Sequence, residues 1–247
     1  MISKSHTKYI QSLQHKKFRD EYGLFIGEGP KVVTELLAAG RFSCHEIFAE
    51  EKWLKENAGG LQKFPVASIS ALKDFELQKI SALHTANKII GVFEKAPNQP
   101  IENTRGRVSL ALDTIQDPGN FGTIIRIGDW FGIENIICSP GCADLYNPKV
   151  VQSTMGSISR VNIYYTELAE WLDEQPGINI YGADMNGTNI RLMKPLEEGI
   201  IVIGNEGHGI SAPVMKRVTE RIAIPGRGDA ESLNAAVATG IILAQLT

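Results

Sequence analysis

The stretch Val108-Ser109-Leu110-Ala111-Leu112-Asp113, followed three residues later by Asp117-Pro118-Gly119-Asn120-Phe121-Gly122-Thr123-Ile124-Ile125-Arg126, decides the fold. The first part is a near-continuous apolar run of strand length. The second is a Pro-Gly-Asn-x-Gly turn that leads into a helical pattern, Ile124, Ile125, Ile127, Trp130 and Phe131. A strand that ends in a polar turn and enters a helix is the repeating unit of an open α/β sheet, and ligands bind such sheets at the carboxyl ends of the strands. With the helix starting near Thr123, Arg126 falls one turn into it, on the side that Asn120 can reach.

Working outward, the same alternation continues to the end of the chain. Strands are expected at Val108–Leu112, Asn135–Cys138, Ile178–Ala183, Ile200–Ile203 and Arg221–Ile224, and helices beginning near Thr123, Pro148, Glu167, Ala212 and Ser232. Apolar strands separated by helices indicate a parallel sheet covered on both faces. Upstream, residues 94–107 carry two prolines, two asparagines and little apolar content, the composition of a linker. The domain reading is therefore 1–96, a linker at 97–106, and 107–247.

The first hundred residues form a smaller α/β unit. Helices are expected at Lys8–Phe18, Pro30–Ala39 and Trp53–Asn57, and from Ser70 with Leu72 and Phe75 facing inward. Strands are expected at Leu24–Ile26, Glu46–Ala49, around Pro65–Ala67 and at Ile89–Phe93. A unit of this size suits recognition better than a cofactor pocket.

Composition excludes several classes. The chain has 247 residues, 43% of them hydrophobic, and no apolar run approaches the roughly 18 residues that span a bilayer. The beginning, Met1-Ile2-Ser3-Lys4-Ser5-His6, lacks the apolar core of a secretory signal. The three cysteines, Cys44, Cys138 and Cys142, build no disulfide framework, so a reducing cytoplasm is expected. Cys138 and Cys142 have no His or Cys partner at ligand spacing, and no metal is expected. The net charge of −3 does not suit a general RNA coat. Lys4, Lys8, Lys16, Lys17 and Arg19 nonetheless precede the first acid, Asp20. They read either as a phosphate-contacting face or as a solvated helix face.

Two further loops repeat the strand–turn–helix pattern. After Ile200–Ile203 comes Gly204-Asn205-Glu206-Gly207-His208-Gly209, where glycines let backbone amides approach a ligand. The spacing is neither the dinucleotide fingerprint nor a phosphate-binding P-loop, and a tight structural turn is the alternative reading. After Ile222–Ile224 comes Pro225-Gly226-Arg227-Gly228-Asp229, then Ser232-Leu233-Asn234 opening an apolar helix. Ser232 is placed as its N-cap, and Asn234 lies in the first turn, where its amide needs partners. His208 is read either as a candidate base, the work to which histidine as a residue type is suited, or as a simple loop contact.

Together these loops resemble the SpoU (TrmH-type) family of RNA 2'-O-ribose methyltransferases of the SPOUT superfamily. Asn120, Gly122 and Arg126 match its first motif. Gly204 to Gly207 match the second, and Ile224-Pro225 with Ser232-Leu233-Asn234 match the third. The order and spacing agree across the second half of the chain. Lys16-Lys17-Phe18-Arg19 and Gly23 to Gly29 resemble the family's L30e-like substrate-binding domain. Gly226 departs from the Met common there, and Ala235-Ala236 from a small β-branched or hydroxyl pair.

The resemblance implies a parallel sheet with a C-terminal trefoil knot, against the general rarity of knots. It implies S-adenosylmethionine as cofactor, held by Ile203, Gly204, Glu206, Gly207, Ile224 and Leu233, with Thr154 close by. It implies a homodimer and an RNA substrate, rRNA or tRNA. Arg126 is then the key catalytic residue. Arginine stays protonated, so charge stabilisation and positioning of the 2'-hydroxyl are expected of it, with Asn120, Glu206, Ser232 and Asn234 around it. The competing readings are a non-catalytic RNA-binding or ribosome-associated protein on the same fold, and an α/β enzyme using another nucleotide cofactor.

Overall fold

The computed structural model describes residues 2–61, 63–101, 104–229 and 231–247. Backbone contacts divide the chain into two compact units. The first comprises Met1–Pro97 with Asp144–Ser159, and the second Asn98–Ala143 with Arg160–Thr247.

The first unit begins with α1 (Lys4–Ser12) and α2 (Lys16–Tyr22), followed by β1 (Leu24–Glu28), α3 (Pro30–Ala39), β2 (Cys44–Glu50), α4 (Glu51–Leu61), β3 (Val66–Leu72), α5 (Asp74–Ile80) and β4 (Ile89–Glu94). Its sheet runs β1-β4-β2-β3, with β4 antiparallel to both β1 and β2, and β3 parallel to β2. Ile10 and Leu13 pack with Leu77 and Ile80 over Ile26, Phe48, Leu72 and Ile90.

Three expectations change here. The single helix at Lys8–Phe18 is two helices, broken after Ser12. The Arg19 guanidinium donates to the carbonyls of Leu13 (2.9 Å) and Gln14 (2.8 Å) and to Asp144 Oδ2 (2.6 Å). It thus satisfies carbonyls that the end of α1 leaves open. Arg19 is 2% exposed, so it cannot belong to a phosphate-contacting face. Leu72 lies in β3 rather than in a helix, and Phe75 on α5 is 56% exposed because α5 turns Leu77 and Ile80 inward instead. Glu28 of the resemblance motif is also buried, bonded by the Ser81 hydroxyl and the Ala82 amide, and burial raises its pKa.

The second unit opens with β5 (Val108–Leu112), α6 (Pro118–Trp130) and β6 (Asn135–Cys138). Residues 144–159, with α7 (Pro148–Thr154), belong by their backbone contacts to the first unit, whereas the sequence predicts one domain unbroken over 107–247. The chain continues in the second unit with β7 (Asn162–Tyr165), α8 (Leu168–Asp173), β8 (Ile180–Asn189), β9 (Gly199–Ile203), α9 (Ala212–Met215), β10 (Glu220–Ala223) and α10 (Ala235–Leu246). The strand order is β10-β8-β9-β5-β6-β7, every pairing parallel.

Alternation along β5 and β6 supplies both faces of this sheet. Ala111 and Ile137 pack with Trp171 and Leu172 of α8 and Val214 of α9. On the other face Ile136 lies against Gly128 of α6, and Ile127 of α6 against Gly240 of α10. Complete burial of a Leu or Ile contributes roughly 1.5–3 kcal/mol, enough to offset the backbone entropy of about 1–2 kcal/mol per ordered residue. The apolar strands are therefore the stable frame on which the loops sit. Segment 97–106 is not free-standing, setting aside Glu102 and Asn103, which lie outside the described residues. Asn98 bonds Tyr165 in both directions, Thr104 bonds Gln175, and Arg105 donates to the Pro176 carbonyl.

Candidate active site

The loops after β5, β9 and β10 all leave the carboxyl edge of the parallel sheet. Asp117 caps α6 by accepting from the Asn120 amide (2.8 Å). α6 therefore starts at Pro118, five residues before the expected start. Asn120 occupies its first turn.

A polarised chain of side-chain hydrogen bonds joins the three loops. Asn234 Nδ2 donates to Asn120 Oδ1 (2.9 Å), and Asn120 Nδ2 donates to Glu206 Oε1 (2.5 Å). At the other end Asn234 Oδ1 accepts from the amides of Ala236 (3.0 Å) and Val237 (3.2 Å). The partial positive charge of the α10 N-terminus thus feeds through two amides to one carboxylate, each bond polarising the next. This also corrects the cap, since Asn234 rather than Ser232 opens α10. Ser232 is exposed.

The Glu206 turn is held from behind. Asn205 and Gly209 exchange backbone hydrogen bonds, and Asn205 Oδ1 accepts from the amides of Gly207 and His208. Asn205 Nδ2 donates to the Thr114 carbonyl (2.9 Å). Asp113, 3% exposed, accepts from the Ser211 amide (2.8 Å) and the Thr114 hydroxyl (3.1 Å). A Cβ on Gly204 would lie 2.3 Å from the Gly209 carbonyl carbon, so only glycine lets the two limbs of the turn close. Asp113 and Asn205 were not singled out from sequence. The one available signal was an acid directly at the end of a buried strand.

Arg126 is exposed on α6. It lies beyond the second turn from Pro118. Six residues at 3.6 per turn put it roughly 120° around the helix from Asn120, so the two do not share a side, contrary to the expectation from a later helix start. Trp130, one turn further, is 85% exposed. His208 is exposed in its turn. Thr154 lies in α7, fully buried, its hydroxyl donating to the Val151 carbonyl (2.8 Å). Burial also raises the pKa of the Cys138 thiol, while the Cys142 pKa is lowered, chiefly by its hydrogen bond with Cys138. Cys142 Sγ accepts from the Ile115 amide, which packs it under the first loop. No group of His, Cys, Asp and Glu among the described residues could hold a metal ion.

The donor set suits an adenosyl sulfonium ligand. Gly226 and Gly228 leave the backbone of the loop after β10 uncovered, since a Cβ on either would meet nothing within 4 Å. Leu233 is 45% exposed beside them, an apolar surface at the mouth of a polar loop.

A parallel sheet that gathers three strand-end loops around one polar relay defines an α/β enzyme with its ligand site at the carboxyl edge. The SpoU rRNA methylase family matches residues 107–244, and an MRM3-like substrate-binding domain matches residues 4–91. The chain belongs to the SpoU rRNA methylase family, whose members are S-adenosylmethionine-dependent RNA methyltransferases, as its three motifs imply. It is similar to the 23S rRNA (guanosine(2553)-2'-O)-methyltransferase RlmP of Bacillus subtilis, 28% identical and covering 96% of this chain and 93% of that protein. A TrmH-family structure from Porphyromonas gingivalis is 34% identical, with a TM-score of 0.87 over 100% of this chain and 98% of that one. The AdoMet-bound rRNA methyltransferase of Sinorhizobium meliloti is 26% identical, with a TM-score of 0.86 over 100% and 96%.

Proposed function

We propose that this protein transfers a methyl group from S-adenosylmethionine to a ribose 2'-hydroxyl of ribosomal RNA, in a reducing cytoplasm. The carrying observation is the relay Asn234–Asn120–Glu206, which couples all three family motifs through two hydrogen bonds. The cofactor would be held by backbone groups of Ile203, Gly204, Gly207 and Ile224 and by the Leu233 side chain, threaded in the family's trefoil knot. Bound there, it supplies an activated methyl group on a sulfonium.

The rest of the chemistry falls to side chains. The hydroxyl is a weak nucleophile, and its negative charge grows as the new bond forms. Arg126 stands exposed with its guanidinium available to that oxygen and to the neighbouring phosphate. Its role is charge stabilisation and alignment, since a guanidinium is a fork of hydrogen-bond donors with no acceptor. Glu206, oriented by Asn120, accepts from the ribose. Ser232, exposed beside Asn234, donates to the nucleotide.

A second copy of the chain completes the reading. Val237 and Ile241 on α10 and Trp130 on α6 are exposed, although these two helices pack together. A homodimer would cover that apolar face.

A non-catalytic RNA-binding role is the competing reading, and the intact relay speaks against it. Two measurements test the proposal. Calorimetry should give binding of S-adenosylmethionine and none of NAD or ATP. Mapping of 2'-O-methyl positions in total RNA, with and without the protein, should show at least one ribosomal position that depends on it. Absence of any such position would leave the non-catalytic reading in its place.

A further inference from the structure

Unit 1 carries a surface feature that the catalytic proposal does not use. Five rings form an unbroken row across α1 and α2. His6 lies 5.6 Å from Tyr9, Tyr9 5.1 Å from Tyr22, Tyr22 6.2 Å from Phe18, and Phe18 6.5 Å from His15, centroid to centroid. Tyr22 is 42% exposed and His15 is exposed, and none of the five is fully buried. The helix break makes the row possible. Arg19, buried and bonded to the Leu13 and Gln14 carbonyls just past α1, ties α2 to the end of α1, and Tyr22 meets Tyr9.

Cations flank the rings. Lys4, Lys8, Lys16 and Lys17 are exposed, and none forms an ion pair among the described residues. Lys17 Nζ stands 5.7 Å from the Phe18 centroid. Two of the acids nearby are engaged, Asp20 with Lys95 and Glu46 with His6, and Glu21 is exposed and forms no ion pair among the described residues. At the His6 end the row opens into a cavity of about 470 Å³, lined by Ser3, His6, Glu46, Phe48, Ser68 and Ser70 among others. That volume is in the range of small-ligand pockets, roughly 300–1,000 Å³. Its lining pairs one aromatic wall with hydroxyls and a carboxylate, groups that suit the amino edge of a base.

We infer that this row is a binding platform for single-stranded RNA, with bases stacked on Tyr22, Phe18 and Tyr9, phosphates on Lys8, Lys16 and Lys17, and the end of the segment entering the cavity at His6. Exposed rings interleaved with cations bind unpaired strands because every base has a face to stack and every linkage a charge. A duplex hides its base faces, so a duplex gains only the charge term. The inference rests on RNA being the substrate.

The test uses the full chain and a fluorescein-labelled oligouridylate of about twelve nucleotides, within the usual site sizes for such platforms. Anisotropy should give tighter binding of this strand than of a duplex of equal length. Tyr22→Ala should weaken it about tenfold, the scale of one lost stacking contact, while Tyr22→Phe restores it. The double change Lys16→Ala, Lys17→Ala should lower the slope of log affinity against log salt by about 1.4, two phosphates at roughly 0.7 each. In methyl transfer, Tyr22→Ala should raise KM for RNA with kcat unchanged, and calorimetry with S-adenosylmethionine should match the parent. Equal affinity for strand and duplex, or unaltered affinity and KM in Tyr22→Ala, overturns the platform. Absence of methyl transfer by the parent chain overturns the catalytic reading instead, so the two failures are separable.

Discussion

Arg126 and Glu206 make opposite demands on their surroundings. Glu206 is half-buried and held by Asn120 at 2.5 Å, so its direction is set before any substrate arrives. Arg126 is exposed, so its guanidinium is free to meet an incoming phosphate. In the proposed reaction, a preorganised acceptor and an exposed cation would suit charge that develops on a ribose. Arg126→Ala is therefore expected to lower single-turnover methyl transfer by about 100- to 1,000-fold, the scale of one lost electrostatic contact. S-adenosylmethionine affinity by calorimetry should stay near the parental value, because none of the proposed cofactor contacts is altered. Arg126→Lys keeps the charge and loses the planar fork, so only partial recovery is expected. Parental rates in Arg126→Ala would remove the residue from the mechanism.

Helix α10 ties stability to the site through one side chain. Asn234 Oδ1 caps the helix and Asn234 Nδ2 starts the relay. Asn234→Asp keeps a cap of equal quality but replaces the donor to Asn120 with a second acceptor. Asn234→Ala loses both functions. Thermal or urea unfolding should thus show Asn234→Ala destabilised by about 1 kcal/mol and Asn234→Asp near the parent, while both lose methyl transfer. If Asn234→Asp retained full activity, the side chain would be a cap and nothing more. The same helix shows what a sequence can disclose. Ser232-Leu233-Asn234 could be placed at a helix mouth because the apolar run after it is unmistakable. That Asn234 also reaches Asn120, 114 positions away, is not legible there. Asp113 escaped notice for the same reason, since Ser211 is 98 positions away. The strand Asn162–Tyr165 is not legible either, being four residues long with only Ile163 buried at the sheet's edge. The break between α1 and α2 is hidden because the residues at it, Leu13 to His15, include neither glycine nor proline.

At the scale of the molecule, the unresolved demand is the apolar surface left on the second unit. Helix α10 is apolar almost all round, and its inner residues Ile242, Leu243 and Leu246 account for only part of it. Val237 and Ile241, 51% and 40% exposed, lie one turn apart, and Trp130 on the helix that α10 packs against is 85% exposed. Scattered exposed apolar residues need no explanation, but neighbouring ones on packed helices mark a contact surface. A two-fold pairing through α6 and α10 would bury this face once on each copy with the same residues. It would also bring Arg126, on the same helix as Trp130, close to the second copy. Light scattering or sedimentation should give a dimer for the parent chain. Val237→Asp with Ile241→Asp should give a monomer, because the buried interface would then hold unpaired carboxylates. That monomer should lose methyl transfer along with its partner if the site needs both copies, whereas a monomeric parent, or a double variant that still dimerises, would place the contact elsewhere.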